Sequence, residues 1–370
     1  MKISRIAQVG AVAAIAALAL AGCASNESGT GGTTDPSAPA GLSGEIAGGG
    51  ASSQEVAVQA WTADFQTANP EVTITYDPAG SGAGRESFQA GAFPFAGSDR
   101  AFNTDEISAG PFDACVEGTD IVELPTYISP IAVIFNLDGV DELNLDAATI
   151  AGLFSGDIAN WNDPAIAALN EGVTLPDLAV TPVHRADDSG TTENFTDYLF
   201  QAAPDAWTAE PDGVWPLTSG EAAQGTSGVV SAVSGGNGTI GYADASRAAE
   251  EGLSTAAVKV GDEFVSYSPE AAAAIVDASS FEEGRGAGDL AIALDRTSEA
   301  AGVYPIVLIS YMIACEQYRD ASVAPVVKGF LSYIASTEGQ ESAAAAAGSA
   351  PISDTLREKV NAAIDLIVAE

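Results

Sequence analysis

One local design recurs four times along this chain: a strand, a turn of glycine, serine and threonine, then the start of a helix. The four turns read GGASSQE, AGSGAGRE, GSD ending at Asp99, and DDSGTTE; the third has a strand end and an acid but a weaker helix. Alternation of this kind from Glu45 onward, with no fixed-period repeat, predicts an α/β fold with parallel-biased sheets. GEIAGGGASSQEVAVQAWTADF reads as strand, glycine turn and helix, with Val58, Trp61 and Phe65 at helical intervals. Ser52 and Glu55 have capping-box spacing at that helix start. VTITY (72–76) alternates as a strand, and PFAGSD (94–99) is a short apolar strand ending on a carboxylate.

TYISPIAVIFNL (126–137) is almost continuously apolar, as a strand buried on both faces would be. VYPIVLISYMIAC (303–315) is a second such run, and the two are expected to cross between the halves of the fold. DAATIAGLFSG and DPAIAALNEG read as helices closing at Gly156 and Gly172. DLAVTPVHR (177–185) reads as a strand leading into RADDSGTTENF, and GTSGVVSAVSGGNGTIGYADAS as a helix, a glycine turn and a strand. An amphipathic helix is expected around 326–335, and the alanine run 343–347 reads as a close-packed helix end.

The chain carries 13 Lys and Arg against 51 Asp and Glu, a formal net charge of −38. It cannot supply the basic stripe that gives sequence-independent affinity for nucleic acid, so DNA and RNA are excluded as partners. The N-terminus has a different character. Lys2 and Arg5 precede an apolar run ending LAGC, which has the order of an export signal and is short for a membrane span of ~20 residues. LAGC resembles the lipobox of bacterial lipoproteins. That likeness implies a signal peptide over 1–22, a diacylglyceryl thioether on Cys23, and a chain anchored by lipid to the outer face of the cytoplasmic membrane. Residues 23–44, rich in Gly, Ser, Thr and Pro, read as a flexible tether. Two cysteines remain, Cys115 and Cys315; in an exported chain this points to a disulfide, the alternative being two buried thiols.

Helix N-termini offer unpaired N–H groups and a partial positive charge of roughly +0.5. One such turn is ordinary capping. Several of them, joined by one arginine and two strand-end acids, form a convergent anion site. HRADDSGTTENF (184–195) must also be weighed as a catalytic segment. A serine nucleophile needs a base, and His184 is the single histidine of the chain. It precedes Arg185 on a strand, so the two point to opposite faces and one alone can face the site. One histidine cannot build a phosphatase metal centre, and neither a GxSxG elbow nor a Walker loop is present. No enzyme activity, metal or cofactor is expected.

GGGASSQ, GSGAG, FAGSD and RADDSGTTENF stand in the order and spacing of the phosphate-binding proteins of ABC-type phosphate importers, and the chain resembles that family. LFSGDIANWNDPAIAALNEGVTLPD and GTIGYADAS are similar to the same family. The resemblance runs from about Glu45 to the C-terminus. It implies a two-lobed type II periplasmic-binding-protein fold with a two-strand hinge, lobe one being 45–136 plus 303–370 and lobe two 137–302. It implies a monomer that binds inorganic phosphate and delivers it to ABC permease subunits. The matching positions imply phosphate contacts from Ser52, Ser53, Ser81, Asp99, Arg185, Asp187, Ser189, Gly190 and Thr191. Ser52 stands where threonine is common in the family, Ser53 where an aromatic is common, and Asp188 where glycine is usual. Arg85 and Arg100 have no counterpart and are expected behind the site or at the surface. The rival readings are a receptor for another oxyanion and an extracellular phosphatase.

Overall fold

A computed structural model describes residues 41–368. The leader over 1–22, Cys23 and the tether as far as residue 40 lie outside the described residues; 41–43 are irregular and Gly44 already begins a strand.

The chain opens with β1 (Gly44–Gly50), α1 (Glu55–Ala68), β2 (Val72–Asp77), α2 (Ser81–Gln89) and β3 (Phe95–Ser98). After α3 (Thr104–Ala109) comes the longest strand, β4 (Ile121–Asn136). Next are β5 (Leu143–Leu145), α4 (Ala147–Ser155), α5 (Pro164–Leu169), β6 (Thr181–Arg185), α6 (Gly190–Ala202), β7 (Glu221–Ala223), α7 (Gly225–Gly235) and β8 (Thr239–Asp244). An irregular arm holds α8 (Ala245–Glu250), β9 (Ser254–Val260), β10 (Glu263–Val265), α9 (Pro269–Ala278), β11 (Ser280–Phe281) and β12 (Ile292–Ala293). The chain returns through β13 (Val307–Cys315) and finishes with α10 (Ala324–Ala335), α11 (Thr337–Ala347) and α12 (Asp354–Asp365).

The main sheet runs β2-β1-β3-β13-β4-β8-β6-β7. β1 pairs in parallel with β2 and β3, and β6 with β7 and β8, as the βα alternation predicts. The two long apolar strands are the exception. β13 is antiparallel to both β3 and β4, and β4 is antiparallel to β8. β4 serves both halves: Ile121 to Pro130 pair with β13, and Ile131 to Asn136 pair with β8. The fold is thus a two-lobed α/β structure, one lobe built on β1–β3 and the other on β6–β8, joined where β4 and β13 meet. Helices cover both faces of this junction, so all of β13 and β4 up to Phe135 are buried, which is why their sequences read as unbroken apolar runs. Cys115 and Cys315 form a disulfide with Cα atoms 5.3 Å apart, linking the approach to β4 with the end of β13.

Three local expectations are corrected. α1 has no capping box: Gln54 precedes it without a side-chain cap, the Ser52 hydroxyl turns to Thr226, and the Glu55 carboxylate takes Arg247 at 2.7 Å. Long-range partners outcompete the local cap. α5 ends at Leu169 rather than near Gly172, because the Asn170 side chain donates to the Ile166 carbonyl and to Asn144, closing the helix early. The strand expected over 177–185 is shorter, since pairing with β8 and β7 begins at Thr181. Among the described residues, no helix is long and apolar enough to cross a membrane.

Candidate anion-binding site

Asp99 follows β3 and is 3% exposed. Ser53 Oγ donates to its Oδ1 at 2.6 Å, Ser310 Oγ to the same oxygen at 2.5 Å, and Thr191 Oγ1 to Oδ2 at 3.2 Å. Its own N–H donates to Ser81 Oγ at 3.1 Å, and its carbonyl accepts Asn194 Nδ2 at 2.7 Å. Burial pushes the Asp99 carboxyl above the ordinary range, against the lowering effects of the Ser310 and Ser53 hydroxyls, the Arg185 charge and the Thr191 hydroxyl. A carboxylate so placed is suited to sharing a proton with a protonated anion.

Arg185 ends β6 and is 3% exposed. Its Nε donates to Asp187 Oδ1 at 2.8 Å and its Nη2 to Oδ2, a two-point grip that fixes the guanidinium plane. Asp187 also accepts the Gly225 N–H at 3.0 Å. Burial alone would raise the Asp187 carboxyl, but the Arg185 bonds and charge, with that N–H, hold it below its ordinary value. Asp187 is therefore an ionised strut for Arg185.

Across the cleft, helix starts meet one another. Ser81 begins α2 and Gly190 begins α6, and a Cβ on Gly190 would lie 2.7 Å from Ser81 Oγ and 2.5 Å from Asp99 Cβ. Only glycine permits that approach. Ser52 Oγ lies 3.0 Å from Thr226 Oγ1 and accepts the Thr226 N–H at 3.2 Å, which brings the start of α7 to the start of α1. The first-turn N–H groups of Gly190 and Thr191 have no helix carbonyl to donate to. Ser189 is used differently: its Oγ accepts the Thr192 N–H as the N-cap of α6, and its own N–H donates to the Gly213 carbonyl at 2.9 Å. The structure thus gathers Ser52, Ser53, Ser81, Asp99, Arg185, Asp187, Gly190 and Thr191 at one cleft, with Ser189 shaping the helix that enters it.

His184 does not pair with a serine. Its Nδ1 bonds the Arg185 carbonyl oxygen at 2.9 Å, and its ring stacks on Trp215 with centroids 5.0 Å apart. Among the described residues, no cluster of His, Cys, Asp and Glu is arranged to hold a metal ion.

Residues 33–338 match the PBP superfamily domain. Phosphate-binding protein PstS 3 of Mycobacterium leprae is 35% identical over 330 residues, which span 86% of this chain and 85% of that protein. Phosphate-binding protein PstS 2 of Mycobacterium tuberculosis is 34% identical over 331 residues, 87% of each chain. The chain belongs to the PstS family of phosphate-binding proteins. Solved structures agree on the fold. A high-affinity periplasmic phosphate-binding protein bound with phosphate aligns with TM-score 0.67 at 22% identity, over 86% of this chain and 93% of that one. A phosphate ABC transporter substrate-binding protein from Clostridium perfringens aligns with TM-score 0.59 at 20% identity, over 84% and 100%.

Three residues at this candidate site escaped the sequence reading. Thr226 had a signal: QGTSGVV repeats the Gly/Ser/Thr turn at a helix start that marks the other four. Asn194 lies four residues after Gly190, on the same helix face. Ser310 is one polar residue inside VLISYMIAC, and β13 slips register against β4 between Ser310 and Tyr311. The extra residue at that slip is Thr126 of β4, and Ser310 reaches Asp99 because β13 pairs with β3, where Tyr311 opposes Ser98.

Proposed function

We propose that the protein is an extracytoplasmic receptor that binds inorganic phosphate between its lobes and delivers it to the membrane subunits of an ABC importer. The observation that carries this reading is the Asp99 carboxylate, buried, raised in pKa and ringed by Ser53, Thr191 and Ser310, in a cleft that also holds Arg185. Hydrogen phosphate has a proton to give such a carboxylate, and sulfate has none. A site built around one hydrogen bond rejects an analogue lacking it by ~10⁴–10⁵-fold.

In this reading Arg185, held by Asp187, clamps two phosphate oxygens. The hydroxyls of Ser52, Ser53, Ser81 and Thr191 and the N–H groups of Gly190 and Thr191 at the start of α6 take the rest, with Ser189 holding that helix start in place. Thr226 joins them. The lobes are residues 45–136 with 303–370, and 137–302; Glu123 N–H donating to the Gly288 carbonyl and Leu290 N–H to the Glu123 carbonyl tie the arm back toward the first lobe. Cys23 carries the lipid, and the chain works as an anchored monomer with no cofactor. It is a binding protein and not a phosphatase: the stacking of His184 on Trp215 leaves Ser189 without a base.

The test is phosphate titration followed by tryptophan fluorescence, with Trp215 beside His184 as reporter. Binding at micromolar phosphate or below is expected, and no binding below millimolar would sink the reading. Asp99→Asn should weaken phosphate binding and narrow the gap between phosphate and sulfate; an unchanged gap would remove Asp99 from the role of proton acceptor.

A further inference from the structure

Ser53, Asp99, Arg185 and Thr191 are each 0–3% exposed, so an anion enters or leaves only when the lobes part. Contacts that cross the cleft without touching the anion are then part of binding. This chain has 13 Lys and Arg residues in all, and it places two of them, Arg85 and Arg100, on the β1–β3 side of the cleft. Asp188 and Glu193 face them from just before α6 and from within its first turn. Arg100 Nε donates to Glu193 Oε2 at 2.8 Å, and Arg85 Nη2 lies 3.8 Å from Asp188 Oδ1.

Each arginine is also held on its own side. Arg85, 4% exposed, donates from Nη1 to Ser98 Oγ at 2.8 Å. Arg100 grips Glu106 through both Nη atoms at 2.6 and 2.8 Å. Closure therefore brings carboxylates to cations that are already in place, and little side-chain freedom is lost when the pairs form. Asp188 is fitted into its position: a Cβ on Gly82 would lie 2.3 Å from its Cγ, and one on Gly213 would lie 2.2 Å from its Oδ1. The Gly82 N–H donates to the Asp188 carbonyl at 3.3 Å across the same seam.

We propose that Asp188 and Glu193, paired with Arg85 and Arg100, form an electrostatic latch across the cleft that sets how long phosphate stays bound. The proposal rests on the phosphate-receptor reading above. It gives a role to the acid that stands where the family usually has glycine. The pairs form after the anion has entered, so they act on release and barely on capture. The Asp188 side chain is 45% exposed, so salt reaches that pair and weakens the latch.

Stopped-flow tryptophan fluorescence with inorganic phosphate, on the full-length protein and its Asp188→Asn, Glu193→Gln and double variants, tests this. Each single variant should release phosphate roughly three to ten times faster, with association within about twofold of wild type. Raising salt from about 50 to about 500 mM should speed release from wild type and leave the double variant nearly unchanged. Release rates and a salt response equal to wild type in all three variants would overturn the latch. A wild-type protein that binds no phosphate would refute the receptor reading instead. The latch is then judged on ligand-free small-angle scattering at low salt, where the double variant should have the larger radius of gyration; equal radii would overturn it.

Discussion

Ser310 donates its hydroxyl to Asp99 Oδ1 at 2.5 Å, across 211 positions of sequence. The bond ties the returning strand of the hinge to the carboxylate at the centre of the site. Ser53 donates to the same oxygen from the start of the first lobe. Replacing Ser310 by Ala removes one of the donors that oppose the effect of burial, so the Asp99 carboxyl should rise further. A hydrogen bond to a charged group contributes about 1.5–3 kcal/mol, so phosphate affinity should fall about tenfold or more. Titration calorimetry at neutral pH decides it, and an unchanged Kd would show that Ser310 does not tune Asp99.

Gly82 and Asp188 make a steric prediction that is separate from their charge. An Ala at 82 would place its Cβ 2.3 Å from Asp188 Cγ. Gly82 lies inside α2, where alanine is locally the better helix former, so the folded chain should be as stable as wild type or slightly more so. Closure is what suffers, and phosphate affinity should drop at least about tenfold. Adding Asp188→Gly should restore affinity to that of Asp188→Gly alone. A double variant as weak as Gly82→Ala would place the clash elsewhere.

Asp244 should make stability depend on pH. It ends β8 fully buried, accepting the Tyr127 hydroxyl at 3.2 Å on each oxygen and the Ser246 N–H at 3.0 Å. Burial pushes its pKa from 3.8 up to about 6, against the lowering effect of the Ser246 and Ser129 hydroxyls. Because the folded value lies above the unfolded one, the folded chain holds the extra proton between them. Its contribution is present below pH ~4 and is lost as pH rises toward 6, by a few kcal/mol at about 1.4 per unit. Denaturant unfolding of wild type and Asp244→Asn from pH 4 to 7 should give a difference that changes across that window. A constant difference would contradict the assignment.

The disulfide closes a loop of sequence separation 200. In the chain-entropy account a loop of that size stabilises by about 5 kcal/mol, and measured values run lower. The Cys115→Ser, Cys315→Ser pair should unfold at a clearly lower temperature by calorimetry. Cys315 stands five residues from Ser310, roughly 17 Å along the strand. Phosphate affinity should therefore change less than about threefold while the protein remains folded, and a larger change would mean that the bridge shapes the site.

The sequence by itself determined the α/β architecture and most of the site. Strand, glycine turn and helix start are local patterns, and their physical consequences are local too: free N–H groups, close backbone approach, and a carboxylate at a strand end. The four turns led directly to Ser53, Ser81, Asp99 and Thr191, and RAD led to Arg185 and Asp187, while their mutual grip came only with the structure. Tertiary structure alone decided what required two distant segments to meet. Ser52 looked like a helix cap and instead holds Thr226, since a partner 174 residues away in sequence competes with the local one. Ser310 meets Asp99 because β13 lies against β3 with Tyr311 opposite Ser98, a pairing of strands more than 200 residues apart that its own sequence does not reveal. Asp188, an acid beside an anion site, could not be placed from its neighbours. Gly213 lies beside it on its own lobe, and Arg85 and Gly82 are brought to it from across the cleft, where a carboxylate that would repel the ligand pairs with a cation on the opposite lobe.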